Sequence, residues 1–477
     1  MDIQIATPAH AGTVPARRID AKGHAHVDFR AVLALAAPLM ANSAIQTVLN
    51  LTDTWFIGRI STQAVAAVAA VHWLVMVVIM LFGGIGLAVQ TVVAQSFGGR
   101  RLNRASQAVW VALWGVAFSV PLYFAVGFLG RWILLPFELD PAVSQLAADF
   151  WLPRVAGSFL GAAAWATLGF FNGIGKPRVT LVASAVMAVS NAILNQFFIF
   201  NLGWGVAGSG FATALAQGIG LAYVLAIFLN ADHRHRYRSH LTWRLHPPRL
   251  VRQFLLGFPM GLLYAADLIG VALFQIMQVK LSDAAGAATQ IATMLTSIAY
   301  LPGVGIALAG TTLVGQSIGA GDRAWAMTLG TRVIGLTAAY MGGMGLLLAL
   351  GGPWLMPLFT GSHDGASALV IALGIKVLWL AALYQFFDGL NLASGFCLRG
   401  AGDAVVPAAL VLVVSWLVFV PLAHMFTFAP GQGWVNFLPQ FGWGVIGGWV
   451  AIVIYLLVLG STLFLRWRSG AWQRIRI

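Results

Sequence analysis

Val93-Ala94-Gln95-Ser96-Phe97-Gly98 returns as Val314-Gly315-Gln316-Ser317-Ile318-Gly319, displaced by 221 positions in an almost wholly apolar chain. The same offset carries Pro38 onto Pro259, Ser61 onto Ser282 and Ala64 onto Ala285. One spacing that holds over this stretch argues for duplication of a whole unit. Apolar spans built twice over fold as two bundles with a path between them, which is the architecture of a transporter.

Composition sets the solvent. The 477 residues are 60% hydrophobic and 9% charged, against about 25% charged in a soluble protein. Mean hydropathy is +0.86. Acidic residues number 14, and Glu138 is the only glutamate. Charge this scarce cannot coat a surface facing water on all sides, so the chain is read as all-α and integral to a membrane. The one cysteine, Cys397, excludes an intrachain disulfide. The first 30 residues are polar and the first apolar run is long enough to span, so no cleaved signal is expected.

Apolar runs predict twelve spans, near 31–57, 64–93, 106–130, 145–171, 178–201, 206–230, 252–279, 285–314, 324–350, 366–398, 404–427 and 443–465. With the N-terminus placed inside, 22 of the 27 Lys and Arg fall in inner segments or the inner ends of the adjoining spans. This bias puts both termini in the cytoplasm. It also turns the net charge of +13 away from nucleic acid and towards anionic lipid headgroups, above all along the basic stretch Arg234–Arg252.

Six spans per repeat insert both copies in the same sense. Two six-helix lobes are therefore expected, related by a pseudo-twofold along the membrane normal. The lobes are read as 31–230 and 252–465, with a basic linker at 231–251 and cytoplasmic tails at 1–30 and 466–477. Later markers drift: Asn172-Gly173-Ile174-Gly175 faces Arg399-Gly400-Ala401-Gly402 at offset 227, and Gly203-Trp204-Gly205 faces Gly442-Trp443-Gly444 at offset 239. The drift predicts insertions in the second half, in the loops around 360–366 and 428–441. Pro38 and Pro259, early in spans 1 and 7, mark the helices expected to bend.

Three carboxylates lie within spans: Asp53, Asp267 and Asp388. An ionised acid at mid-bilayer costs about 2.5–3.5 kcal/mol, so each should face a cavity or a partner. Asp53, near a helix end, has the alternative of reaching water. Gln46, Asn50 and Asp53 recur at i, i+4 and i+7 on one face of span 1, Asn191 and Asn195 share a face of span 5, and Tyr384 stands one turn before Asp388. Such amides and hydroxyls suit a dehydrated Na⁺ or a protonated carboxyl, and equally suit bonding between helices. Arg154 and Lys376 also fall within spans, and His72 beside Trp73 reads as a packed pair. Gly98-Gly99-Arg100-Arg101 lacks the lysine and the strand of a phosphate loop. No metal cluster, nucleophile–base constellation or hydrolase motif is legible, so neither an enzyme nor a bound cofactor is expected.

The doubled Gln-Ser-x-Gly turn, Pro38…Asp53-Thr54…Gly58, Asn172-Gly173-Ile174-Gly175 and Leu398-Arg399-Gly400-Ala401-Gly402-Asp403 together resemble the multidrug and toxic compound extrusion family over roughly residues 30–465. The resemblance implies a V-shaped cleft between lobes and H⁺- or Na⁺-driven antiport of lipophilic organic cations and drugs. Asp53 with Asn191 and Asn195, Asp267, and Tyr384 with Asp388 match the NorM-type branch, which commonly has glutamate in its seventh helix. On this reading the coupling cation, H⁺ or Na⁺, is taken up at Asp267, Asp388 and Tyr384. Asp53, with Gln46, Asn50, Asn191 and Asn195, then forms a second polar site. A monomer in the bacterial inner membrane is expected. The competing reading is a lipid-linked oligosaccharide flippase, which would need cationic groups such as Arg154 and Lys376 converging in the cleft.

Overall fold

The computed structural model describes residues 13–135, 140–359 and 365–475. Among them twelve helices are long and apolar enough to cross a membrane: Phe29–Gly58, Gln63–Gly98, Leu102–Phe128, Pro141–Gly173, Pro177–Asn201, Gly205–Phe228, Pro247–Leu281, Asp283–Gly319, Arg323–Phe359, Ser367–Ala401, Val405–Thr427 and Gly444–Arg468. They are spans 1 to 12, six in each of two lobes. Large apolar side chains on their outer faces, Leu51, Phe118, Ile193 and Leu347 among them, remain exposed. This is the surface expected where the surrounding solvent is hydrocarbon.

The repeat markers turn out to be structural devices. Ser61 and Ser282 are the N-caps of spans 2 and 8, with φ of −169° and −172°. Their hydroxyls accept from Ala64 N at 3.0 Å and Ala285 N at 3.1 Å. Each cap satisfies an orphan first-turn donor and is worth about 1 kcal/mol. The repeated Gly-Trp-Gly starts spans 6 and 12 through left-handed glycines, Gly203 and Gly205 at φ 70° and 55°, Gly442 and Gly444 at φ 70° and 62°. A side chain at these positions would be strained, which is why both copies keep glycine.

Spans 1 and 7 run as unbroken helices through Pro38 and Pro259. The interruptions lie elsewhere. Span 4 is broken at Gly157, and spans 5 and 11 carry π-helical turns at Gln196–Asn201 and Ser415–Phe419. The expected insertion at 428–441 appears as an irregular connection, whereas its counterpart in the first repeat is residues 202–204. The second expected insertion overlaps residues 360–364, which lie outside the described residues.

The first and last described segments, around Pro15–Arg17 and Arg468–Arg474, both lie beside the start of span 9, on a face of the bundle called here the terminal face. There a small hairpin, Arg17–Ile19 paired antiparallel with Ala25–Val27, occupies part of what the sequence suggested as a tail. It docks on the start of span 9 through Arg17 to Asp322 at 3.2 Å and Trp325 Nε1 to the Pro15 carbonyl at 2.9 Å. The segment expected as a linker contains a short helix, Ala231–Tyr237, and gives its last residues to span 7, which starts at Pro247.

The lobes are joined near this same face. Thr91 Oγ1 donates to Arg399 O at 3.0 Å and Thr312 Oγ1 to Asn172 O at 3.0 Å. Gln90 reaches across to Leu308 O and Thr312 Oγ1. Among the described residues, every hydrogen bond between lobes lies in the half of the bundle nearer the terminal face.

Candidate functional site

The three intramembrane acids divide between the lobes. In the first lobe, Asp53 lies six residues before the Arg59 C-cap of span 1, yet it does not reach outward to water. Its Oδ1 accepts from Asn195 Nδ2 at 2.6 Å and its Oδ2 from Thr213 Oγ1 at 3.4 Å. Asn195 also donates to Asn191 Oδ1 at 3.1 Å, and Asn191 donates to Thr213 at 3.3 Å. Both asparagines are wholly buried. Helical spacing on span 5 therefore stacks two amides one turn apart, and span 6 supplies the hydroxyl that closes the ring. The Asn195 carbonyl oxygen is buried without a partner, an acceptor beside the carboxylate open to a cation.

Gln46 and Asn50 do not join this network. Asn50 is exposed, and neither side chain bonds to Asp53 or to the span 5 asparagines. Span 1 is rotated so that Asp53 faces spans 5 and 6, and Asn50, less than one turn earlier, points out of the lobe. Arg154 is buried beside the break in span 4, bonding Ser158 Oγ at 3.2 Å, and lies within electrostatic reach of Asp53 and Tyr123. Lys376 is exposed on span 10. The two cations expected of a pyrophosphate site thus do not converge. His72 meets Trp73 edge-on at 5.5 Å, as a packed pair does.

The second lobe holds Asp267 and Asp388. Asp267 Oδ1 accepts from the Tyr455 hydroxyl at 3.0 Å, and Asp388 Oδ1 from Asn391 Nδ2 at 3.3 Å. Tyr384, one turn before Asp388, packs against Trp449 with ring centroids 5.9 Å apart. Tyr300 of span 8 lies within electrostatic reach of both acids and of Tyr264 and Tyr384. Four of the chain's 8 tyrosines therefore surround two carboxylates. Neither acid, nor Asp53, takes part in an ion pair among the described residues. A narrow cavity of about 90 Å³ runs from Asp267, Tyr300 and Tyr455 towards Arg399 and Asp403 at the terminal face. A single water needs at least about 10–15 Å³, so the cavity has room for a few molecules. Arg399 is 6% exposed, its guanidinium lies 4.2 Å from the Phe396 ring centroid, and its Nε has no partner in the protein.

Sequence reading missed Thr213, Tyr264, Tyr300, Tyr455, Asn391 and the cavity role of Arg399. Two had a local signal: Tyr264 stands three residues before Asp267 and Asn391 three after Asp388, so each shares a helix face with its acid. The rest sit on other helices, and no spacing along the chain links them to an acid.

The sequence matches the MatE family model over residues 38–197 and 259–425. The two matched blocks begin at Pro38 and Pro259, the pair that marks the repeat. A protein of Pseudomonas aeruginosa named "Probable multidrug resistance protein NorM" is 31% identical over 460 residues, covering 93% of this chain and 90% of that one. Its namesake from Bradyrhizobium diazoefficiens is 30% identical over 465 residues, 94% and 95% of the two chains. Among solved structures, one of MATE in complex with MaL6 superposes with a TM-score of 0.80 at 20% identity, covering 93% of this chain and 97% of that one. An outward-facing multidrug resistance MATE family transporter of the MOP superfamily gives 0.77 at 20% identity, with 93% and 96% covered.

Proposed function

The chain belongs to the MatE family, and on that premise we propose that it is an inner-membrane multidrug transporter, exporting drug-like organic cations in exchange for H⁺ or Na⁺. The observation that carries the exchange is the lack of an ion-pair partner for Asp267 and Asp388. A carboxylate held at membrane depth without a fixed counter-charge is costly. An incoming cation removes that cost by protonating or ligating it, with the oxygens of Tyr300, Tyr384 and Asn391 close by.

Binding can drive transport only if the cation has different affinities for two arrangements of the lobes. The position of the interlobe hydrogen bonds supports one such arrangement, closed at the terminal face and free to part at the other. With the terminal face in the cytoplasm, as the basic residues suggest, that state opens outward. The inward-negative potential then favours cation entry by about 2.3 kcal/mol per charge per 100 mV. Asp53, Asn191, Asn195 and Thr213 form a second polar site, which alternates between holding its own hydrogen bonds and holding a cation at the free Asn195 oxygen. The protein acts as a carrier, without a bound cofactor, and as a monomer.

The test is efflux of a fluorescent organic cation from proteoliposomes under an imposed Na⁺ gradient and, separately, a pH gradient. Wild type should respond to one of them. Asp388→Asn and Asp267→Asn should each lose about tenfold or more of the driven flux, the loss of about 1.4 kcal/mol of coupling. No response of the wild type to either gradient would overturn antiport. Undiminished flux in a variant would remove that acid from the coupling site.

A further inference from the structure

Spans 3 and 7 begin side by side on the terminal face, and between them lies a cleft of about 880 Å³. Arg100, Arg101 and Arg104 line it from the start of span 3, and Arg236, Arg238, Arg244 and Arg249 from the connection and the start of span 7. The lining includes no carboxylate, and none of these arginines takes part in an ion pair among the described residues. Like charges at this density repel, so the arrangement is incomplete without an anion.

The cleft is built, not frayed. Trp110 Nε1 donates to Ser239 O at 2.7 Å, Trp114 Nε1 to Trp243 O at 2.8 Å and Ser106 Oγ to Tyr237 O at 2.8 Å, strapping the connection along span 3. Two of the three non-glycine residues with positive φ among the described residues are Arg100 (57°) and Arg238 (51°), both in the lining. Backbone held in this region costs free energy and persists where the surroundings impose it. Gln107, 7% exposed, lines the cleft with no side-chain partner among the described residues. Span 3 also starts without a side-chain cap, so the first-turn N–H groups of Leu102 and Asn103 face the same anion-deficient region; span 7 opens on Pro247 and Pro248 and adds none.

Position selects the anion's source. The cleft sits where two spans leave the hydrocarbon, and its rim carries exposed apolar side chains, Leu241 (60%) and Trp243 (52%). An amphipathic ligand satisfies both features. We propose that the cleft binds an anionic phospholipid with two phosphodiesters, its phosphates among the arginines and its acyl chains along the exposed Leu241 and Trp243. Arg101 and Arg104 belong to the first lobe and Arg249 to span 7 of the second, so one bound headgroup ties the lobes together at the closed face.

The experiment uses the full chain in zwitterionic nanodiscs. Lipid binding and the thermal unfolding midpoint are followed on titration with cardiolipin, phosphatidylglycerol and inorganic pyrophosphate. Cardiolipin should bind about tenfold more tightly than phosphatidylglycerol and raise the midpoint, since each arginine near an anionic surface adds a comparable increment. The triple variant Arg101→Gln/Arg104→Gln/Arg249→Gln should lose about tenfold or more of that affinity. Its midpoint without lipid should be unchanged or higher, because repulsion is relieved; a purely structural role would lower it. The control is Arg323→Gln/Arg468→Gln/Arg474→Gln, three arginines lining another hollow of the same face. Equal losses in the two triples would reduce the effect to general surface charge and overturn the site. So would pyrophosphate binding as tightly as cardiolipin, or no preference of the wild type for the two-phosphate lipid.

Discussion

Gln95 and Gln316 are the same residue of the two repeats, and each donates its side-chain amide to a glycine carbonyl in the other lobe. Gln95 Nε2 reaches Gly400 O at 3.0 Å and Gln316 Nε2 reaches Gly173 O at 2.8 Å. The acceptors are themselves repeat partners at offset 227, and the Thr91 and Thr312 bonds form a second such pair. A duplicated unit packed about a twofold makes each contact twice, as in a symmetric dimer.

If these bonds hold the terminal face closed, Gln95→Ala and Gln316→Ala should open it to the same extent. Each removes a bond worth about 1 kcal/mol net, a shift of about fivefold in the open-to-closed ratio. Distances between spin labels placed on the terminal ends of spans 3 and 9 would show the shift. Unequal effects would argue against a shared lock.

The same twofold brings helix backbones into close approach at Gly98 and Gly319. A Cβ at Gly98 would meet the Gln316 carbonyl, and one at Gly319 would meet the Gln95 carbonyl. Gly98→Ala and Gly319→Ala should therefore each destabilise the closed face by about 1–3 kcal/mol, since backbone cannot move aside as a side-chain tip can. The same spin-label distances should widen in both variants, with transport reduced. Wild-type distances in either would mean the backbones have more room than the structure gives them.

Asp53 depends on Asn195 more than on its neighbours in span 1. Asn195→Ala removes the 2.6 Å donor and leaves the carboxylate with Thr213 at 3.4 Å, a loss of about 1.5–3 kcal/mol. Gln46→Ala and Asn50→Ala should stay within about 0.5 kcal/mol of wild type. Thermal unfolding of the purified protein ranks the three, and the opposite order would redraw the first-lobe site.

Arg399 places a fixed positive charge between the second-lobe acids and the terminal face. An arginine in a narrow passage is a barrier to cations. Arg399→Met should raise cation leak in the absence of drug by about tenfold, read as ion uptake into proteoliposomes without substrate. Unchanged leak would show the cavity is sealed by packing rather than by charge.

His233, between spans 6 and 7, gives the connection a pH dependence. Burial against Phe170, Phe171 and Tyr237 holds it below the ordinary histidine value of 6.5, and the nearby Lys176 charge acts in the same direction. Its neutral ring bonds Asn230 Oδ1 through Nδ1 at 2.8 Å. The folded chain thus binds the proton less readily than the unfolded one. The contribution is fully present above the unfolded value and is lost as pH falls through it towards the depressed folded value. Between about pH 7.5 and about pH 5.5 the wild-type unfolding midpoint should fall, and in His233→Gln the fall should be smaller. Identical pH dependence in the two would place the titration elsewhere.

Much of the site could be read along the chain because helices are periodic. Asn191 and Asn195 at i and i+4 did stack, and Tyr384 did precede Asp388 by one turn. The same periodicity did not carry Gln46 and Asn50 into the network: Asn50, three residues before Asp53, lies about 60° away around the axis and is exposed, while Asp53 bonds Asn195. Pro38 and Pro259 remain inside continuous helices, and the interruptions fall at Gly157 and at two π-helical turns, which no sequence marker singled out.

The sequence by itself determined the solvent, the twelve spans, the duplication and the presence of three acids within spans. All of these follow from local hydropathy and from spacing. Only the tertiary structure decided that Asp53 answers to Thr213, that Asp267 answers to Tyr455, and that Gln95 and Gln316 clasp opposite lobes. The reason is the solvent itself: lipid tails are as apolar as a leucine face, so hydropathy does not distinguish a helix surface turned to a neighbour from one turned to the bilayer. Rotation about each helix axis is settled by packing of small residues and by polar groups finding partners, and both are visible only once the helices stand side by side.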